Sequence, residues 1–268
     1  MVGTATAARL SSIRPLPFAV TLLTALLLQT GANLANDYFD YQTGADISNR
    51  LGPTRVSPSG WVTPPAARNV AVASFGLAIL AGLYLVAVGG WPILVVGVFA
   101  VMTAILYTGG PWPLGYHGLG DLCVFVFFGI VAVVGSAYLQ TGTIQPPPFL
   151  DAIPVGLLVT AILVVNNLRD IDTDRTAGKR TLAVLIGRRV TRIEYVLLLS
   201  AAYLVPLGRW LAAPASVWAR LPWLTLPLAI RLVCRVVRDE GAQLNQALRE
   251  TARLHLLLGI LFAASLVT

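Results

Sequence analysis

The stretch IRPLPFAVTLLTALLLQTGANLANDYFD, residues 13–40, joins an apolar run of membrane-crossing length to an end that carries two aspartates. About 20 apolar residues in one helix span the roughly 30 Å hydrocarbon core of a bilayer. The chain of 268 residues is 56% hydrophobic and only 12% charged, unlike a soluble globular protein. Because lipid offers the backbone no hydrogen bonds, we predict an all-α, polytopic transmembrane helical bundle.

Eight stretches are apolar enough to cross a membrane. They cover about residues 16–36, 66–88, 91–108, 119–140, 150–168, 193–212, 215–233 and 251–268. No linker or shift in composition divides them, so residues 1–268 are predicted to form a single domain. The first run lacks the short apolar core and cleavage site of a signal peptide, so we expect this span to be retained.

The net charge of +7 follows a membrane topology. Fifteen of the 19 Lys and Arg residues fall in or beside the loops on one side of the predicted bundle. The exceptions are Arg9, Arg14, Arg209 and Arg220. By the positive-inside rule we expect the basic loops to face the cytoplasm and to contact anionic lipid. We therefore predict a multi-pass protein of the cell (inner) membrane, with no nucleic acid as a partner.

Two apolar helices end in segments with the same order of residue types. NLANDYFDYQTGAD at 33–46 and VNNLRDIDTDRTAGKRT at 165–181 each place amides first, carboxylates next and a Gly-containing loop last. We call them the first and second acidic motifs. Both follow an odd-numbered span, so we expect both on the cytoplasmic side.

The spacing within each motif places its polar side chains on a shared face. Residues three and four apart are neighbours on a helix, so one stripe is expected to contain Asn33, Asn36 or Asp37, and Asp40. By the same rule Asp170 and Asp174 share a face, and Asp172 points roughly opposite. Asp46 lies past a glycine in the following loop, where a supporting role and no role are equally open.

Carboxylates near hydrocarbon usually face the bundle interior or an aqueous cavity. Two acidic clusters repel each other unless a cation lies between them. Oxygen donors without His or Cys favour a hard ion, and Mg²⁺ typically takes one or two carboxylates together with water and phosphate oxygens. We therefore predict a magnesium site that receives a phosphorylated substrate. The alternative is that these residues merely solvate helix ends.

Basic side chains next to the second motif suit an anion. Arg175 and Lys179 are the candidates for a diphosphate, and Arg169 and Arg180 are weaker ones. Tyr107, at a helix end on the same side, is a candidate for stabilising a cation through its ring, with an interfacial aromatic as the alternative. His117, alone in a loop, is expected to be a surface or structural residue.

These segments, together with LYTGGPWPLGYHGLGDLCVFVFFG at 106–129, resemble the UbiA superfamily of intramembrane aromatic prenyltransferases. Within it they are most similar to the 1,4-dihydroxy-2-naphthoate polyprenyltransferases of menaquinone synthesis. The resemblance implies nine transmembrane helices around a central cavity that binds Mg²⁺ and an isoprenyl diphosphate. Residues 13–40 align with the family's second helix, so we expect either that the start codon is misplaced or that this chain does without the first helix.

The resemblance also implies roles for individual residues. The metal ligands would be Asn36, Asp37, Asp40, Asp170 and Asp174, and the four aspartates would be the catalytic residues. The substrate-binding residues would be Asn33, Arg55, Tyr107, Asn166, Arg175 and Lys179. Arg55 belongs to GPTRVSPSG at 52–60, a loop expected to lie over the site and to bind the diphosphate or the acceptor carboxylate.

The expected reaction is a Mg²⁺-dependent transfer of a polyprenyl group from its diphosphate to an aromatic acceptor. With dihydroxynaphthoate as acceptor, loss of CO₂ would follow. The alternatives left open within the family are 4-hydroxybenzoate, homogentisate, chlorophyllide, haem or glycerol-phosphate acceptors. A remote alternative is a cation transporter, although a transporter is expected to place its carboxylates near the bilayer midplane.

Overall fold

The computed structural model describes residues 1–42, 51–52 and 63–267, and these residues are helical with short connections. The helices are α1 (Val2–Ala8), α2 (Pro15–Gln42), α3 (Pro64–Gly89), α4 (Trp91–Leu106), α5 (Gly120–Thr141), α6 (Pro147–Thr176), α7 (Leu182–Ala202), α8 (Leu204–Ala212), α9 (Leu226–Arg238) and α10 (Leu244–Val267). The central turn of α5, Phe125–Val131, is π-helical. The predicted all-α class is confirmed.

Six segments of the described chain are long and apolar enough to cross a membrane. They are α2, α3, α5, α6, the continuous pair α7 and α8, and Gly241–Val267, which includes α10. Helix α4 is apolar but has 16 residues, which span roughly 24 Å. The predicted span 215–233 divides into a 3₁₀ segment with Pro222 inside it and the short helix α9. The helical bundle is confirmed, but the count of eight spans is not.

Helix α6 lies at the centre of the bundle and packs against α5, α7 and α10. Its fully buried residues include Leu158, Ala161, Val165 and Leu168, which follow helical spacing. Because lipid tails are as apolar as these side chains, close packing rather than exclusion of water holds such helices together. The central position of α6 matters for the site, because the second acidic motif forms its final turns.

Helices α2 and α3 form a second packing unit beside this core. Ala35 of α2 packs with Ala71 and Phe75 of α3. Gly31 lies against the ring of Phe75, where an added Cβ would approach the ring to 3.0 Å. This contact fixes α2 one turn before its acidic end, so the first motif is delivered by a helix that α3 holds in place.

The residues before α2 form the short helix α1, for which the sequence predicts no element. Helix α1 is buried and packs against α5, α6 and α10. A Cβ on Gly3 would lie 2.1 Å from the carbonyl oxygen of Val133, so the two backbones touch. Thr6 donates a hydrogen bond to the buried carboxylate of Asp151 at 2.8 Å, and Arg209 forms an ion pair with Asp151. Helix α1 therefore packs at the end of the bundle opposite the acidic motifs.

Helices α5 and α6 cross at two glycines. A Cβ on Gly129 would lie 2.5 Å from the Cα of Gly156, which no side chain can accommodate. Small residues of this kind allow membrane helices to approach closely. The crossing brings the beginning of α5 close to the acidic end of α6.

Replacing Gly129 with Ala should push α5 away from α6 and destabilise the bundle by about 1–3 kcal/mol, as overpacked cores do. The melting temperature of the purified protein should fall by several degrees. Gly135 of the same helix has open space around its Cα, so Gly135→Ala is the matched control and should not lower the melting temperature. Equal melting of the two variants would contradict the close crossing.

Candidate active site

The two acidic motifs meet through a lysine and a tyrosine. Lys179, just beyond α6, places its Nζ 3.1 Å from the Oδ1 of Asp40 in α2. Tyr116, from the connection between α4 and α5, donates its hydroxyl to the same carboxylate, and Lys179 lies 4.6 Å from the centre of the Tyr116 ring. Three separate segments of the chain therefore converge on Asp40.

The end of α6 has the geometry that directs Lys179 toward Asp40. The amide of Lys179 donates to the carbonyl of Asp174 at 2.9 Å, and the amide of Gly178 donates to the carbonyl of Arg175 at 3.2 Å. This pair of bonds is a Schellman motif, in which the residue after the cap adopts a left-handed conformation that favours glycine. Gly178 has φ 73°, and the chain reverses there.

The first motif turns its carboxylates into the bundle. Asp37 and Asp40 are only 5% and 3% exposed, and Asn36 accepts a hydrogen bond from the hydroxyl of Thr108. Asn33 does not continue this buried stripe, because its side chain is exposed and accepts a hydrogen bond from Gln29 at 3.2 Å. Its role in substrate binding stays a prediction.

Asp170 of the second motif is held by Arg169, which the sequence predicts only as a weak candidate for binding phosphate. Arg169 is 1% exposed, and its guanidinium donates to both carboxylate oxygens of Asp170. It also donates to Asn166 and to Asn245, each at 2.9 Å. Arg169 therefore fixes the position of Asp170, and Asn166 belongs to this network.

Asn245, in the first turn of α10, extends this network from α6 to a second helix, and nothing in the sequence marks it as a site residue. Its Nδ2 donates to the carbonyl oxygen of Leu51 at 2.6 Å. The short described segment at 51–52 is therefore tied to α10 beside Arg169. Arg55 and Asp46, for which roles were predicted, lie outside the described residues.

The remaining residues of the second motif differ in their surroundings. The carboxylate of Asp174 lies within electrostatic range of Asp40, Asp170 and Lys179. Asp172 points away, as predicted, and its exposed carboxylate pairs with Arg188. Arg175 is exposed and makes no ion pair with any residue that the structure describes.

The connection between α4 and α5 packs next to Asp40 and Lys179. The amide of Gly115 donates to the carbonyl of Tyr107 at 2.9 Å. An added Cβ on Gly115 would lie 2.9 Å from the Tyr107 ring, and one on Gly120 would lie 2.8 Å from the Tyr107 hydroxyl. Burial, followed by the nearby negative charge of Asp121, raises the pKa of Tyr107 above its usual value. Tyr107 therefore keeps its proton and can donate a hydrogen bond.

His117 and its neighbours form the outer part of the same connection. His117 is exposed and stacks on Trp112 with ring centres 4.2 Å apart. Its Nδ1 lies 2.8 Å from the carbonyl of Pro113. These contacts fit the surface position expected for His117.

Asp121, in the first turn of α5, is a carboxylate beside the site for which the sequence predicts no role. It is 8% exposed, and neither carboxylate oxygen has a hydrogen-bond partner among the described residues. The charge of Asp121 acts on Tyr107, as do the charges of Asp174 and Asp40. A signal was present in the sequence, because a carboxylate opening an apolar span is costly in a membrane.

Residues 1–264 match the model of the UbiA prenyltransferase family.

The chain belongs to the UbiA prenyltransferase family.

One curated relative is the 1,4-dihydroxy-2-naphthoate octaprenyltransferase of Escherichia coli K12. It is 39% identical over 270 residues, which cover 98% of this chain and 87% of the relative. The fold is shared with the apo structure of a UbiA homolog from Aeropyrum pernix K1, with a TM-score of 0.74, 17% identity and coverage of 97% and 94%. A UbiA homolog from Archaeoglobus fulgidus bound to DMAPP and Mg²⁺ has a TM-score of 0.66, 13% identity and coverage of 99% and 93%.

The donors of this UbiA-family site suit a cation that arrives with its own ligands. Among the described residues, no three His, Cys, Asp or Glu side chains are grouped to hold an ion. The motifs instead offer carboxylate and amide oxygens beside basic side chains. Mg²⁺ needs one or two carboxylates when water and phosphate oxygens complete its shell. The donor set fits Mg²⁺ bound to a diphosphate and does not fit an all-protein metal cage.

Replacing Arg169 with Met should leave Asp170 as an unpaired buried carboxylate. Breaking a buried pair in this way costs about 3–5 kcal/mol, so the variant should melt well below the unchanged protein. Arg188→Met removes an arginine whose partner, Asp172, is exposed, and such a pair contributes about 1 kcal/mol or less. If both variants melt alike, Arg169 does not hold the second motif.

Proposed function

We propose that this protein is an integral membrane prenyltransferase that transfers a polyprenyl group from polyprenyl diphosphate to 1,4-dihydroxy-2-naphthoate, with loss of CO₂, in menaquinone biosynthesis. The observation that carries the proposal is the contact of Lys179 with Asp40, which joins the two acidic motifs at one place. The acceptor is supported by the name of the Escherichia coli relative, which covers nearly the whole chain.

The diphosphate would bind where the motifs meet. Asn36, Asp37, Asp40, Asp170 and Asp174 would hold Mg²⁺, as the donor set and the magnesium-bound homolog of the same fold support. Held by these residues, Mg²⁺ would supply positive charge to the diphosphate leaving group.

Basic side chains of the chain would share this work. Lys179 already lies at the meeting point of the motifs, and Arg175 is exposed just before it. Both can donate charge-assisted hydrogen bonds to diphosphate oxygens. A donor that is in place before the reaction stabilises charge as it develops on the leaving group.

The chemistry would proceed by electrophilic substitution. The bond between the allylic carbon and the diphosphate oxygen breaks, and the electron-rich ring carbon of the acceptor forms a bond to that carbon. Loss of CO₂ from the same ring carbon then restores the aromatic ring. The ring of Tyr107 can stabilise the allylic cation, and apolar helices keep water from quenching it.

The proposed function includes an orientation of the bundle in the membrane. The acidic ends of α2 and α6 share one end of the bundle with Lys179 and Arg175, while Arg14 and Arg209 belong to the contacts at the opposite end. By the positive-inside rule the active site would face the cytoplasm from the cell (inner) membrane, with lipid around the bundle.

A cation transporter is the alternative from another class. Its carboxylates would be expected near the midplane, on broken helices. Here Asp40 lies two residues before the last residue of α2, and Lys179 is bound to it. A lysine at that position would repel a passing cation, which favours the transferase.

The proposal is tested with purified protein, Mg²⁺ and octaprenyl diphosphate, supplied with dihydroxynaphthoate, 4-hydroxybenzoate or homogentisate in separate reactions. Mass spectrometry should detect a prenylated, decarboxylated product with dihydroxynaphthoate and little product with the others. Preference for another acceptor would correct the acceptor and keep the family. Flux of Mg²⁺ into liposomes without any prenyl transfer would favour the transporter.

Asp37→Ala and Asp174→Ala should each abolish turnover and leave the protein folded, because each removes a carboxylate from the metal site. Asp172→Ala is the matched control on α6, since Asp172 faces away and is exposed, and it should retain most activity. Product formation and melting temperature are measured for all three. Full activity of either the Asp37 or the Asp174 variant would remove that residue from the site.

A further inference from the structure

Asp121 differs from the other buried carboxylates around the site. Asp40 and Asp170 contact Lys179 and Arg169, whereas both oxygens of Asp121 are buried without a hydrogen-bond partner in the described parts of the chain. An unpaired buried carboxylate is costly, and it usually becomes neutral or finds a donor. The folded chain leaves that donor to be supplied from outside.

The position of Asp121 relates it to the site by way of Tyr107. The Tyr107 hydroxyl lies against Gly120, the residue just before Asp121. The same phenol is within electrostatic range of Asp121 and of Asp40 and Asp174 from the two motifs. Asp121 is therefore close to the diphosphate-binding groups without being one of them, and it heads a helix whose following residues are apolar.

A dihydroxylated aromatic acceptor has the chemistry that this position lacks. Its aromatic ring can pack against the ring of Tyr107, and its hydroxyl is a hydrogen-bond donor. Attack by the ring carbon requires electron density that a hydroxyl supplies best as its O–H bond weakens. A carboxylate without other partners is a suitable acceptor for that proton.

We propose that Asp121 binds a hydroxyl of the aromatic acceptor and accepts its proton while the ring carbon forms its bond to the prenyl group. The inference rests on the proposed function and assigns a residue to the binding and deprotonation of the aromatic acceptor. When the O–H bond breaks, its electrons form the C=O double bond of a ring ketone, while the new carbon–carbon bond forms and the diphosphate leaves. When the ring carbon loses CO₂, the electrons return to the oxygen, which takes its proton back from Asp121. No external acid, base or oxidant is needed.

Two other titratable groups lie near Asp121 and are less suited to this role. Cys123 is in the same turn of α5, and its thiol is a weak hydrogen-bond acceptor. Glu194 of α7 is within electrostatic range of Asp121, but it lines an apolar groove with Leu157, Val190 and Leu197. Glu194 is not among the charges that act on Tyr107 or on Asp174.

The test compares Asp121→Asn with the unchanged protein and with the control Asp172→Asn. Asp121→Asn should lower kcat/KM for dihydroxynaphthoate on the order of 100-fold, the usual scale for losing a general base. Binding of geranyl diphosphate with Mg²⁺ should be unchanged, because Asp121 does not contact the donor. The variant should also melt no lower than the unchanged protein, since it removes an unsatisfied charge, and Asp121→Glu should restore part of the activity.

Acceptor analogues identify the hydroxyl. The unchanged protein should bind one monohydroxynaphthoate more tightly than its isomer, measured as competitive inhibition, whereas Asp121→Asn should bind both alike. This comparison is a double-mutant cycle in which one change is Asp121→Asn and the other is loss of one hydroxyl from the acceptor. If the two groups interact, their effects on binding are not additive. Equal discrimination by the two proteins would overturn the pairing.

The outcomes separate the two claims. If the unchanged protein prenylates no aromatic acceptor, the proposed function is wrong and the inference falls with it. If it prenylates dihydroxynaphthoate and Asp121→Asn does so with the same kcat/KM, only the role of Asp121 is wrong. A variant that melts much lower and also loses geranyl diphosphate binding would show that Asp121 supports the fold, which likewise overturns the inference.

Discussion

Carboxylates buried at one end of a membrane bundle impose the constraint on which the rest of the site depends. Asp37, Asp40 and Asp170 are each less than 9% exposed, and like charges in such a place repel strongly. The chain answers with basic groups of its own, Lys179 against Asp40 and Arg169 against Asp170. The same balance suits a diphosphate that brings Mg²⁺. The carboxylates would then pair with the metal, and the basic side chains with the diphosphate.

The two basic groups answer this constraint in different ways. Arg169 is fully buried and bonded to Asp170, Asn166 and Asn245, so its geometry is fixed from several sides. Lys179 follows the glycine turn that ends α6 and reaches across to α2. A flexible ammonium can transfer from a carboxylate to a phosphate oxygen more easily than a planar guanidinium that is bonded on all sides. We therefore regard Arg169 as a fixed support and Lys179 as the group that exchanges partners on binding.

The sequence predicted the parts of the site that depend on local spacing. The acidic ends of α2 and α6, and the outward position of Asp172, follow from helical periodicity and from the cost of charge in lipid. Contacts between residues far apart in the chain were not predictable in this way. The pairing of Lys179 with Asp40 depends on how α2 packs, and the exposure of Asn33 depends on where that packing stops.

The fold was predictable to a similar extent. The lengths of the apolar stretches predicted the bundle, but they predicted eight spans. They do not show that the segment before α9 is a 3₁₀ helix with a proline, or that α4 is short. They also missed α1, whose seven residues are too few to give a membrane signal. Such a helix is stabilised by close contacts like that of Gly3 with Val133, which only the packed bundle reveals.

The central claim is that the two acidic motifs form a single site for a metal-bound diphosphate. It is tested most directly by determining the structure with Mn²⁺ in place of Mg²⁺ and a prenyl thiodiphosphate, and by locating the metal from its anomalous scattering. The account predicts metal peaks within coordination distance of carboxylates from both motifs, with Lys179 on the diphosphate. Clear diphosphate density with no metal near either motif, or with the metal held elsewhere, would contradict it.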